Sequence, residues 1–173
     1  MKYNGYCIRK STNDDLEGIK NLLRLCFGIF PEKQGALIDI ENRYLLAISN
    51  NEIVAMTGIL PLNKSDYDGY EITWTCTNPE HRHKGLIIHM QKECEKRLPN
   101  DGIPIYCSCW RIRDNKDINM KNVMKSLGYK LETKNLKVRH YPIYEYCRDC
   151  ILLESNCHCF DDLYYKKRDG FKE

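Results

Sequence analysis

The sequence predicts an α/β fold: a mixed central sheet with flanking helices, followed by a small cysteine-rich C-terminal segment. Three observations carry this. Short apolar stretches with a period of two alternate along the chain with longer ones whose apolar residues fall three and four apart. No repeat, low-complexity run or linker divides the core. A chain of 173 residues with 42% hydrophobic content is large enough to bury a substantial core as one domain.

Taken in order, "YCIRK" alternates and reads as a first strand. In "STNDDLEGIKNLLRLCFG", Thr12 or Asn13 is the expected N-cap and acidic residues fill the first turn. Leu16, Ile19, Leu22, Leu23 and Cys26 then make an apolar stripe that stops at Gly28. "FPEKQGALIDIE" holds a short second helix after Pro31. "RYLLAIS" and "EIVAMTGIL" flank Asn50-Asn51, the signature of a β-hairpin with a tight turn. "LNKSDYDG" reads as a polar loop and "YEITWTCT" as a strand. "GLIIHMQKECEKRL" is helical until Pro99 and Gly102, and "IPIYCSCWRI" is an apolar strand. "DINMKNVMKSLG" is a helix closing on Gly128, and "YKLETKNLKVRHY" gives two short strands or one bent hairpin. The order is β-α-α-β-β-β-α-β-α-β-β.

Charge narrows the partners. The chain has 27 basic and 24 acidic residues, a net of +3, too mild for binding nucleic acid by phosphate neutralisation yet hospitable to a small anion. No apolar run is long enough to span a membrane, and "MKYNGYCIRK" lacks the apolar core of a signal peptide, so a cytoplasmic protein is expected. Ten cysteines are then expected to stay reduced, as core fillers or metal ligands.

The stretch with chemistry in it is "NPEHRHKGLIIHM", residues 78 to 90. A strand, a short turn containing Gly85 and a helix leave several backbone N–H groups unpaired at a helix N-terminus. Those donors and the positive end of the helix dipole suit a phosphate or pyrophosphate. Arg82, His83 and Lys84 add positive potential, and Gly85 lets the backbone approach a ligand closely. The spacing matches neither a P-loop nor a three-glycine dinucleotide fingerprint. A surface turn with solvated charges is the plainer reading of the same residues.

Asn78-Pro79-Glu80-His81-Arg82-His83-Lys84-Gly85-Leu86-Ile87 resembles motif A of the GNAT acyltransferase superfamily, N-P-x-x-R-x-x-G-x-(G/A), with Ile87 in place of the second small residue. The element order is similar too, and "NVMKSLGY" looks like the family's late helix; the likeness covers residues 5 to 140. The resemblance implies acetyl-CoA as cofactor, its pantetheine arm along Thr75, Cys76 and Thr77. Its pyrophosphate would lie on Arg82, His83, Lys84, Gly85, Leu86, Ile87 and Ile88, with Asn119 or Asn122 a further contact to the cofactor. It also implies transfer of an acetyl group to a primary amine of a small molecule or protein. Glu71, eleven residues before Arg82, stands where some members carry a glutamate base; a solvent-facing structural glutamate is the alternative. The tyrosine acid that many members carry four residues before the late glycine is Met124 here, so no acid is assigned. Its absence keeps a second reading open, a catalytically weak CoA-binding or metal-sensing regulatory module, and beside it a protein-interaction domain. A homodimer through "KLETKNLKVRHY" is where the family's habit of pairing late strands would show.

The tail extends beyond the resemblance. Residues 1–140 are expected to form the acyltransferase domain and 141–173 an extension packed on it. Cys147, Cys150, Cys157 and Cys159 form C-x2-C-x6-C-x-C, a set of four thiols suited to a closed structural zinc site, with free thiols as the alternative. Asp161 and Asp162 before "LYYKKR" read as a solvated helix start.

Overall fold

A computed structural model describes residues 1–28, 32, 35–64, 67–111, 120–137 and 160–169. It is a mixed α/β fold with a large, mostly antiparallel sheet of eight strands flanked by helices. The chain divides into two compact units, residues 1–60 with 72–99 and residues 61–71 with 100–173.

In the first unit, β1 (Lys2–Tyr3) and β2 (Tyr6–Lys10) form a hairpin, and β2 pairs antiparallel with β3 (Tyr44–Ser49). β3 pairs with β4 (Glu52–Lys64) across the expected Asn50-Asn51 turn. Both asparagines have positive φ, 49° and 63°, as a two-residue turn matching the right-handed strand twist requires. β5 (Tyr67–Thr77) contributes its C-terminal half to this unit.

One helix lies on each face of these strands. α1 (Leu16–Phe27) puts Ile19, Leu22 and Leu23 against Tyr44, Leu46, Met56 and Cys76. α2 (Leu86–Glu95) puts Leu86, Met90 and Cys94 against Ile8, Leu45, Ala47 and Val54. The period-two alternation sends Tyr44 and Leu46 to one face and Leu45 and Ala47 to the other, so β3 is buried on both sides. Gly28 (φ 69°) ends α1 as expected, but Leu16 is 39% exposed and stands outside the predicted stripe. α1 is entered through a 3₁₀ turn, Asn13–Asp15, capped at Thr12, whose N–H and hydroxyl both donate to the Asp15 carboxylate. Asp15 also takes a two-pronged ion pair from Arg9, at 2.6 and 2.7 Å.

In the second unit the N-terminal half of β5 pairs parallel with β6 (Ile105–Arg111), at Tyr70–Ile105 and Glu71–Tyr106. β6 pairs antiparallel with β8 (Phe160–Lys166), which pairs in turn with β7 (Lys130–Lys137). α3 (Lys121–Ser126) buries Met124 and closes on Gly128 at φ 81°.

Several sequence expectations change here. "FDDLYYK" is a strand flanked by β6 and β7 on either edge, not a solvated helix start; alternation buries Asp162 and Tyr164 together. Leu62–Lys64 extend β4 and Tyr67 begins β5, so the supposed polar loop is mostly strand. "KLETKNLK" is a single strand, and β1 was not expected at all. The short helix after Pro31 falls largely outside the described residues, and 35–39 are turns and bends.

Candidate active site

Asn78 opens the basic turn. Its N–H donates to the Val54 carbonyl of β4, and its side chain accepts from the Glu80 N–H at 3.1 Å. Pro79, lacking an N–H, starts the 3₁₀ turn Pro79–His81, where a donor would be orphaned anyway. The chain then passes Arg82, His83 and Lys84, all exposed, and enters α2 at Gly85. His83 (φ 60°) and Gly85 (φ 70°, ψ 7°) are both left-handed, an unusual conformation for the non-glycine residue and a natural one for the glycine.

The first bond of α2 runs from the His89 N–H to the Gly85 carbonyl. Helix geometry therefore leaves the N–H groups of Leu86, Ile87 and Ile88 without intrahelical acceptors. Gly85 supplies no side-chain cap, and no acidic residue stands in the first turn. An uncapped positive helix end beside three exposed basic or imidazole groups is a fit for a diphosphate. Ile87 packs half-buried against the core cluster under α2, so only its amide is available to a ligand.

An N-terminal brace supports the turn, and sequence reading missed it. The Tyr6 hydroxyl shares a 3.0 Å hydrogen bond with His81 Nδ1, their rings edge to face. Tyr3 stacks on His89 with ring centroids 4.0 Å apart and planes at 12°. A Cβ on Gly85 would lie 3.2 Å from the Tyr3 hydroxyl. His81 and His89 are therefore partners of the β1–β2 hairpin, while His83 is exposed. Nothing in the local pattern around Tyr3 and Tyr6 signals these partners.

β5 leads into the turn with its two faces committed differently. Cys76 is buried on the α1 side, and Trp74 meets Phe27 edge to face at 6.3 Å. Trp74 holds φ 45° inside the strand. The Thr75 hydroxyl is engaged by Thr57 at 2.7 Å and by the Gln91 amide at 3.3 Å. Thr77 offers its carbonyl to Arg82 Nε at 3.2 Å and to Cys26 Sγ at 3.6 Å. Among the described residues, Thr73 Oγ1, His89 Nε2 and Gln91 Oε1 are buried without hydrogen-bond partners, all three on β5 or α2. Glu71 is half-buried on β5 opposite Tyr106. Met124 is fully buried and Tyr129 packs in the core.

Asn119 and the thiols Cys147, Cys150, Cys157 and Cys159 lie outside the described residues. Among the described residues no three potential ligands gather into a metal site. Cys107 and Cys109 are core fillers, 3% and 2% exposed.

Fold and turn together fit an acyltransferase architecture. The acetyltransferase (GNAT) domain model matches residues 7–109, more than half of the chain. The chain belongs to the GNAT acetyltransferase family and is, as a member, an acyl-CoA-dependent N-acetyltransferase. Solved structures agree in fold. A GNAT-family acetyltransferase from Bacillus cereus aligns with TM-score 0.65 and 15% identity, over 94% of this chain and 97% of that one. An aminoglycoside 6'-N-acetyltransferase complexed with coenzyme A aligns with TM-score 0.62 and 15% identity, over 93% and 96%. The ribosomal-protein-S18-alanine N-acetyltransferase of Escherichia coli aligns with TM-score 0.60 and 15% identity, over 97% and 96%. No curated protein matches the chain in sequence. No helix among the described residues is long and apolar enough to cross a membrane.

Proposed function

We propose that the protein transfers the acetyl group of acetyl-CoA to a primary amine, on a small molecule or a protein, by direct attack within a ternary complex. The observation that carries this is the uncapped N-terminus of α2, entered through the left-handed pair His83 and Gly85 and ringed by Arg82, His83 and Lys84. The main-chain N–H groups of residues 83 to 88 are the donors for the diphosphate, and the main chain of Thr75, Cys76 and Thr77 is the rail for the pantetheine arm. Bound acetyl-CoA supplies an activated thioester carbonyl; the chain orients it and manages protons. Glu71 is the candidate base that takes the proton from the incoming ammonium, directly or through water. With Met124 buried at the tyrosine position, solvent is the proton source for the departing thiolate.

The acyltransferase domain is 1–140 and the C-terminal extension is 141–173, with β8 of that extension contributing a strand to the sheet. In this reading the protein is cytoplasmic, and the four tail thiols hold a structural zinc, for which metal analysis of anaerobically purified protein is the test.

Acetyl-CoA binding by calorimetry, followed by thiol release with an amine panel, tests the whole proposal. Binding without turnover on any amine transfers the case to a regulatory module. In Glu71→Gln, the acid limb of the kcat/KM pH profile should vanish with KM for acetyl-CoA unchanged. An unaltered profile removes Glu71 as the base.

A further inference from the structure

A tight hairpin delivers two tyrosines to the basic turn. Asn4 (φ 45°) and Gly5 (φ 85°) are both left-handed, as a two-residue turn that matches strand twist requires, and they set Tyr3 directly opposite Tyr6. Opposite residues of an antiparallel pair share a face, so both rings leave the hairpin on the same side. The Ile8 N–H holds the free end of the hairpin by donating to the Met1 carbonyl at 2.7 Å. Hairpin, basic turn and α2 all belong to the first compact unit.

The two hydroxyls are employed differently. That of Tyr6 is committed to His81 Nδ1 at 3.0 Å. Tyr3 lays its ring flat on His89, centroids 4.0 Å apart. Helical side chains lean toward the N-terminus of their helix, so this stack carries Tyr3 to the first turn of α2. There its hydroxyl ends against Gly85, 3.2 Å from where a Cβ would stand. Among the described residues the Tyr3 hydroxyl has no hydrogen-bond partner, and it is not sealed from solvent. A tyrosine whose ring is packed ordinarily finds a partner for its O–H. The groups beside this one are donors as well. The N–H groups of Leu86, Ile87 and Ile88 lack intrahelical acceptors, and Gly85 brings no side chain to cap them. Donors that converge without an acceptor are satisfied together by an oxyanion.

We infer that Tyr3 is a further acetyl-CoA-binding residue, its hydroxyl donating to an oxygen of the diphosphate at the N-terminus of α2. The inference rests on the proposed seating of the diphosphate and adds a side-chain donor to the main-chain ones. Arg82, His83 and Lys84 are exposed and act by charge; Tyr3 acts by direction, because the stack on His89 fixes its ring before the ligand arrives.

The test is Tyr3→Phe, which keeps the ring on His89 and removes one oxygen. Calorimetry with acetyl-CoA should show Kd raised by about 5-fold to 20-fold, as for one hydrogen bond from a neutral donor to a partly wet charged acceptor. Dephospho-CoA keeps the diphosphate and lacks the 3'-phosphate, so it should show the same ratio of variant to wild type. The ligand-free Tm should stay within about 2 °C of wild type, because the hydroxyl has no protein partner to lose. In turnover, KM for acetyl-CoA should rise with kcat held within about twofold, the mark of binding lost equally from ground and transition states. Tyr3→Leu, which also removes the stacked ring, should lower Tm and weaken acetyl-CoA at least as much. For Tyr3→Phe, a Kd within about twofold of wild type, a ratio that disappears with dephospho-CoA, or a Tm loss beyond about 2 °C would each overturn the inference. Wild type that binds neither CoA form would remove the diphosphate seat itself, and the role of Tyr3 with it. Wild-type binding beside an unchanged Tyr3→Phe removes the role of the hydroxyl alone.

Discussion

Replacing Gly85 by alanine tests whether backbone shape at the entry to α2 is what holds the diphosphate. Gly85 has φ 70° and ψ 7°, a left-handed conformation that costs an L-residue about 1–2 kcal/mol. The new Cβ would also stand 3.2 Å from the Tyr3 hydroxyl, a contact that a small shift of the ring relieves. If the conformation is kept, stability falls by about 1–2 kcal/mol, or roughly 3–6 °C in Tm for a chain of this size. If it relaxes, the N–H groups of the first turn lose their common aim. Losing one charge-assisted donor to a diphosphate is worth about 1.5–3 kcal/mol, so the Kd for acetyl-CoA should rise by about 10-fold to 100-fold. Gly128→Ala is the control. Its φ is 81° with nothing within 4 Å of the added Cβ, and it caps α3 instead of α2. It should lose about 1 kcal/mol of stability and bind acetyl-CoA as wild type does. Calorimetry on both variants separates the two effects. Gly85→Ala as stable as wild type, so that the backbone has relaxed, yet with Kd within twofold of wild type, would refute the cradle.

Three further outcomes follow from the packing. Asp15 is held at about 2, below its ordinary 3.8, first by the Arg9 hydrogen bonds and then by those from Thr12. Its stabilisation is therefore complete above pH 3.8 and lost as pH falls through about 2. With Arg9 40% exposed, the contribution is about 1 kcal/mol, and the Tm gap between wild type and Asp15→Asn should close below about pH 2. Gly69→Ala would put a Cβ 2.7 Å from the Tyr106 ring and 2.9 Å from the Pro104 carbonyl, which accepts from Tyr70 N–H and cannot retreat; urea unfolding should show a loss of about 2–3 kcal/mol. Gln91→Met removes an amide whose Oε1 is buried without a partner and leaves Thr75 with Thr57. It should change stability by less than about 1 kcal/mol, and a loss above about 2 kcal/mol would mean that Oε1 is satisfied after all.

What could be read from the sequence was what local periodicity encodes. The stripe of α1, the Asn50-Asn51 turn and the glycine stops at Gly28 and Gly128 each depend on neighbours a few residues away. β8 was misread because Asp161-Asp162 looks like a helix start. The local pattern holds no sign that β6 and β7 flank this segment, and flanking strands are what bury an aspartate in a sheet. The turn was legible as Asn78-Pro79 through Gly85, since capping and turn chemistry are local. Its brace was not. The pairs Tyr6–His81 and Tyr3–His89 join residues more than seventy positions apart, and tyrosine at two strand positions carries no address.

The departures from ordinary packing gather in one place, and that concentration is itself an argument about function. A bulky residue with positive φ costs about 1–3 kcal/mol and persists only where its surroundings fix it. Trp74 is fixed by Phe27 and the α1 cluster, and His83 stands one turn of chain from the helix it introduces. Three of the four buried unpartnered polar atoms among the described residues, on Thr73, His89 and Gln91, sit on the strand and helix that this strain connects. Folding alone would favour an ordinary extended residue at 74, a right-handed one at 83 and apolar side chains at 89 and 91. A segment that keeps local strain and unsatisfied donors and acceptors together, inside a core otherwise well packed, is shaped for something other than its own stability. In the proposed reading that something is the diphosphate at the uncapped end of α2, where Arg82 is held by the Thr77 carbonyl of the same strand.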